Sequence, residues 1–274
     1  MTTADISRRI KPGVVFWLLM ILLTPFSTSA RSFTVPSKDA ENISEIMVKV
    51  KRGDTVFVEE GVYRERIFIT PGVSLISKSM LKAVIDGRGR DKVVTMGNHG
   101  LIQGFEITGG TIGVYSDAQG NQIKKCLIHG NKQTGVLAVG HLPQIEDNII
   151  VYNHGSGIQG WDVRSTAATI NHNTISFNSN NGISVGGKSD IVIENNILAF
   201  NERVSLKAQP EVKALLRKNS FFGNTEIVEI LPSGNYAFDP LFKAPKSFDF
   251  TLKKDSRCKN MGSDNEDLGA RLSD

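Results

Sequence analysis

The chain has little cysteine, few aromatic residues and no long apolar run. Two cysteines in 274 residues, Cys126 and Cys258, allow at most one bridge and exclude a disulfide framework. Aromatic residues make up 7% of the chain, and the two tryptophans are Trp17 and Trp161. The longest apolar run, Val14 to Leu23, is ten residues, too short to cross a bilayer comfortably. Neither sign of charge dominates: 32 basic against 28 acidic residues give a net charge of +4, scattered and not in blocks. That pattern gives no case for nucleic acid. Leucine is not the dominant repeated residue, which argues against a leucine-rich horseshoe.

The start of the chain reads as an export signal. Arg8, Arg9 and Lys11 precede the apolar run, and Thr28-Ser29-Ala30 supplies small residues for a peptidase. No cysteine follows the run, so a lipoprotein anchor is not expected. The competing reading is an uncleaved N-terminal anchor. With residues 1–30 removed, no membrane span is expected in the mature chain, and the destination is secreted or periplasmic, in a bacterium.

What is abundant is asparagine at a fixed period. Five segments share one pattern: CLIHGN, NIIVYN, NTISFN, NILAFN and NSFFGN. Their last asparagines, Asn131, Asn153, Asn178, Asn201 and Asn224, are 22, 25, 23 and 23 residues apart. Such self-similarity is the signature of a solenoid. Within one unit, Val136 to Ala138, Gln144 to Glu146 and Ile149 to Tyr152 read as three short strands separated by turn residues. Asn148, Asn173, Asn196 and Asn219 fall at the corner before the third strand. Asparagine tolerates the left-handed backbone of a tight corner, and its amide can bond neighbouring backbone. Stacked coils would align these four into a ladder. Glycine recurs before the first strand at 113, 135, 157 and 182. The expected fold is all-β, a right-handed parallel β-helix of about eight coils spanning residues 53–230.

The flanks read as covers for the ends. Ile43, Ile46, Met47 and Val50 follow i, i+3, i+4, i+7, which predicts an amphipathic helix over 37–50, capped by Ser37 or Asp39. Residues 31–52 would then cap the open strand edges of the first coil. Residues 231–274 lose the period and form a loop-rich C-terminal cap.

Gly53-Asp54-Thr55-Val56 followed by Gly61-Val62-Tyr63-Arg64-Glu65 is similar to the opening of secreted bacterial proteins of the pectin-lyase-like, right-handed β-helix superfamily. Asp239-Pro240-Leu241-Phe242, Phe248-Asp249-Phe250-Thr251-Leu252 and Met261-Gly262 resemble their ending. The resemblance covers nearly all of the mature chain and implies the fold. It does not imply one activity, because the superfamily holds polysaccharide lyases, hydrolases, epimerases and members without known chemistry.

Lyases of this fold cut uronic-acid polymers by β-elimination, which needs a cation or equivalent on the sugar carboxylate and a base for the C5 proton. Thr95, Tyr115, Leu137, Gln159 and Ser184 are the expected outward positions of the first strands, with Asp117, Val139, Trp161 and Gly186 as a second row. Asp117, Asp162 and Asp190 are the carboxylates that could converge on a metal, with Ca2+ as the ion implied by the resemblance. The competing reading is three solvated turn carboxylates. The longest turn, Trp161 to Thr166, is the best candidate sugar site. Tyr115, Gln159 and Trp161 would contact substrate, with the indole as a stacking platform. Arg164 would pair a carboxylate and Lys188, one coil on, would be the base, so these two are the candidate catalytic residues. The competing reading packs Trp161 under its own loop. Four of the five histidines, 129, 141, 154 and 172, lack zinc-site spacing. The motifs of polygalacturonases and pectin methylesterases are missing.

The reading is therefore an exported, monomeric β-helix that recognises an acidic extracellular polysaccharide, with β-elimination as an extension. The alternatives are a non-catalytic scaffold and a periplasmic accessory protein resembling the β-helical copper-maturation factors. The latter would need His or Met clusters that the sequence does not show.

Overall fold

The computed structural model describes residues 29–165, 167–225 and 231–272. The export-signal reading falls almost wholly on residues outside this set. From Arg31 onward the chain is one compact unit. It is a right-handed parallel β-helix with three sheets.

The first sheet holds seven strands, from Ile67–Ile69 and Lys92–Met96 through Ile158–Val163 to Leu206–Ala208. The second holds nine, from Ser32–Val35 to Val212–Arg217, and the third eight, from Gly61–Tyr63 to Ser220–Phe222. Inward positions stack like on like: Ile107, Ile128, Ile150, Ile175 and Leu198 are register partners on the third sheet. Each is fully buried, worth about 1.5–3 kcal/mol per side chain. The glycine column lets coils close up. A methyl on Gly113 would lie 2.6 Å from the Gly135 carbonyl oxygen, and one on Gly157 would lie 2.8 Å from that of Gly182.

Two asparagine ladders run along the core. In one, the Nδ2 atoms of Asn148, Asn173, Asn196 and Asn219 donate to the Oδ1 of the next coil at 2.9–3.0 Å, and Asn235 supplies the last rung. The other joins Asn131, Asn153, Asn178, Asn201 and Asn224. The corner chemistry differs from the expectation. The left-handed backbone sits one residue earlier, on Asp147, His172, Asn195 and Lys218, with φ between 51° and 58°. The ladder asparagines point inward instead, where every amide hydrogen bond is made.

The N-terminal segment also differs. The helix spans only Ile43–Met47, with Asn42 as its N-cap in place of Ser37 or Asp39. The Glu65 carboxylate reaches from the first coil to accept from the Ile43 and Ser44 amides at 2.9 and 2.8 Å, which fixes where the helix begins. Ile43, Ile46, Met47 and Val50 are buried against the core as the stripe requires. Before the helix, Ser32–Val35 is a strand paired with Thr55–Val58.

At the far end, Leu231 packs on the core and Tyr236 bridges to Ser220. The rest of the C-terminal segment runs back along a flank. Phe242, Phe250, Cys258 and Leu268 bury Leu127, Ile149, Val151, Ile197 and Ala199, which face outward from the third sheet. Both cysteines are free and buried. Burial pushes the Cys126 thiol up to about 12.

Candidate polymer-binding face

The C-terminal segment covers the third sheet and leaves the outer face of the first sheet open. Register places Phe68, Thr95, Tyr115, Leu137, Gln159, Ser184 and Lys207 in a single row across seven strands. Tyr115 and Gln159 are therefore two strands apart on one line. The Tyr115 hydroxyl donates to Asp117 Oδ2 at 3.2 Å, and the Lys92 ammonium lies 3.6 Å from the ring centroid. Burial, then the Asp117 charge, raises the Tyr115 phenol above its usual range. Gln159 Oε1 accepts from Thr134 Oγ1 at 3.1 Å.

Trp161 lies in the next row, paired with Val139. Its strand bulges between Gly160 and Val163 against Ile183–Gly187. Gly187, at φ 119°, permits this: a methyl there would lie 2.4 Å from the Val163 nitrogen. Strand alternation points the indole outward, on the same face as Gln159, and beside the bulge it is 53% exposed. It is not packed under its loop. The loop is held by Arg164 N donating to Gly140 O at 2.8 Å, and Lys188 N donates to Val163 O at 2.9 Å. Arg164 and Lys188 thus sit on the same turn of adjacent coils. Beside them a groove of about 290 Å3 is lined by Gln119, His141, Gln144, Arg164 and Ser165. The sequence reading missed the two glutamines. Gln119 lies in the turn after the first strand of its coil, and Gln144 opens the second-sheet strand Gln144–Glu146 of the next.

The three aspartates do not converge. Asp162 pairs with Arg164 at 2.8 Å, the two side chains 67% and 72% exposed. Asp117 is engaged by Tyr115, and Asp190 belongs to the second-sheet strand Ser189–Glu194. Among the described residues no three His, Cys, Asp or Glu side chains gather as a metal site. The histidines are dispersed as well: His129 meets Glu106 at 3.0 Å, and His172 is buried near Glu266.

The family profile described as "Periplasmic copper-binding protein (NosD)" matches residues 48–240, well over half of the chain. The chain belongs to the NosD family. Solved structures agree on the fold. The pectate lyase Pel9A superposes with a TM-score of 0.51 at 14% identity, over 90% of this chain and 97% of that one. The periplasmic alginate epimerase AlgG gives 0.53 at 14% identity, over 75% of this chain but only 53% of the epimerase. The NosD chain thus spans about half of that enzyme. Comparison with curated sequences gives no match. No described helix is long and apolar enough to cross a membrane.

The family description names copper. The described residues do not fit a copper centre: no ligand cluster forms, both thiols are buried, and Met47 and Met96 lie inside the core.

Proposed function

We propose that this NosD-family β-helix acts outside the cytoplasm, in the periplasm or secreted, as a monomer that recognises an acidic polysaccharide along the outer face of its first sheet. The observation that carries the reading is the exposed Trp161, next to a bulge and a groove whose lining offers a guanidinium, two amides and an imidazole. An indole face suits a pyranose, and the other groups suit its carboxylate and hydroxyls.

The reading is recognition and not elimination. Arg164 already pairs with Asp162 in solvent, and among the described residues no acid cluster stands ready to hold a cation against a uronate. Titration of polygalacturonate and alginate, with and without Ca2+, tests both halves. Binding without the ultraviolet absorbance of unsaturated product is expected. Failure of every acidic polymer to bind would sink the reading.

A second reading, a periplasmic accessory scaffold, is favoured by the family match. Its partner would be a protein seated on the same flat face.

A further inference from the structure

Positive charge collects on the opposite rim of the first sheet, away from Trp161. The turn 87–91 joins the third-sheet strand Ala83–Asp86 to the first-sheet strand Lys92–Met96 and carries Arg88 and Arg90 into solvent. Arg88 holds φ 54° and donates its amide to Asp86 Oδ1 at 2.8 Å, so its backbone is fixed. Lys132 comes from the equivalent turn two coils on. The intervening turn, 109–111, begins Gly109-Gly110, which puts no side chain at its first two positions. Lys132 reaches across that saddle, and its Nζ donates to Gly89 O at 2.8 Å. Gly89 leaves room: a methyl there would stand 3.2 Å from the ammonium.

Two carboxylates stand beside this group, Asp86 on the Arg88 amide and Asp91 at the end of the turn, but neither pairs with the side chains of Arg88, Arg90 or Lys132. Arg66 meets Asp91 only at 3.9 Å, and neither arginine nor Lys132 has an acidic partner among the described residues. Like charges held together at a surface repel, and a bound anion removes that repulsion. The turn leads into Lys92–Met96, a strand of the sheet whose outer face carries Trp161. The two lie three strand spacings and one strand length apart, on the order of 20 Å along the diagonal.

We propose that Arg88, Arg90 and Lys132 form a second anchor, which takes carboxylates of the same acidic polymer that lies over Trp161 and Arg164. This rests on the polysaccharide reading above. Two anchors on one rigid face make the second contact intramolecular, so affinity should grow with polymer length.

The test is calorimetric titration with uronate oligomers of three and of eight units, from both galacturonate and mannuronate. The parent and an Arg88→Ala/Arg90→Ala double variant are compared. Both arginines are exposed, so an unchanged melting temperature confirms the variant is folded. The parent should bind the longer oligomer roughly tenfold more tightly than the shorter one, and the double variant about twofold or less. The short oligomer should bind both proteins alike. Equal affinity of parent and variant for the long oligomer overturns the second anchor alone. So does a parent with no length preference, or a variant that loses the short oligomer as well. A parent that binds neither length overturns the anchor and the polysaccharide reading together.

Discussion

Arg271 clamps Asp147 across 124 residues of sequence, with Nε on Oδ1 at 2.8 Å and Nη2 on Oδ2 at 3.2 Å. The same guanidinium bonds Glu266, and Glu266 faces His172. Nearby, Ala270 N donates to Thr174 Oγ1 at 3.1 Å and Gly269 N to Asn195 O at 2.8 Å. These contacts hold the C-terminal strap on the third sheet.

Arg271→Ala should therefore loosen the strap before it unfolds the coils. Asp147 would be left mostly buried without its partner, at a cost of roughly 1.5–3 kcal/mol for a hydrogen-bonded charge. Urea denaturation gives the loss, and hydrogen exchange should localise it to residues 262–272. Dye binding to the uncovered Ile149, Val151 and Ile197 should rise. An unchanged exchange pattern would show that Phe242 and Phe250 hold the strap without the clamp.

Stability should fall in two steps on acidification. His172 is buried, its Nδ1 without a hydrogen-bond partner among the described residues, and is faced by Arg271, Asp147, Glu266 and the Gly269 backbone. Burial, then Arg271, holds its pKa below the ordinary 6.5. Above pH 6.5 the imidazole is neutral folded or unfolded and adds no pH dependence. Below it the unfolded chain takes up the proton first, so stability drops as pH falls until the folded-state pKa is passed. Asp54 acts lower. The Arg31 hydrogen bond holds it at about 2, against 3.8 unfolded, so its contribution is complete above about pH 4 and fades toward pH 2. His172→Gln should flatten the first step in urea titrations across pH and leave the second. A first step that persists in that variant assigns it to another group.

Asn173→Leu should be the most costly single change in the core. The Asn173 amide donates to Ile145 O, Asn171 O and Asn196 Oδ1, and its oxygen accepts from Asn148 N and Nδ2. Leucine strands several of these groups in the interior, at ~1–3 kcal/mol each. A variant that melts at the parental temperature would mean the ladder contributes little.

The ladder was legible because its chemistry is local and periodic: Asn173 announces itself by spacing alone. The strap was not. Residues after Tyr236 have no period, and Arg271 meets Asp147 only once the solenoid exists. A trace was present in Ile149-Ile150-Val151 and Ile197-Leu198-Ala199. Runs apolar at both alternating positions mark strands buried on both faces, so something had to cover the outer one. The helix start was misplaced because its decisive partner, Glu65, lies 22 residues from Ile43. At the candidate site, the row through Tyr115 and Gln159 follows from strand period. So does the outward place of Trp161, but the bulge beside it depends on Gly187, one coil later. The metal reading failed on geometry: Asp117, Asp162 and Asp190 occupy different coils, and two are held by near neighbours.

The two halves of the proposed site should separate by salt. Trp161 is exposed and uncharged, so its contact with a sugar ring is insensitive to ionic strength. Its removal costs a stacking surface worth about 0.5–1.5 kcal/mol, up to roughly tenfold in affinity. Trp161→Ala should therefore weaken binding of polygalacturonate or alginate by the same factor at low and high salt. Arg164 is an exposed cation already shared with Asp162. An exposed pair contributes about 0.2–1 kcal/mol and is screened beyond roughly 8 Å at physiological ionic strength. Arg164→Ala should weaken binding up to about fivefold at low salt, with little effect at high salt. Asp162→Asn supplies the converse: it frees the guanidinium and removes a repelling carboxylate, so affinity at low salt should rise. Parental affinity in both the Trp161 and Arg164 variants, for a polymer the parent binds, would move the site off this rim. The flat face would then be left to the scaffold reading.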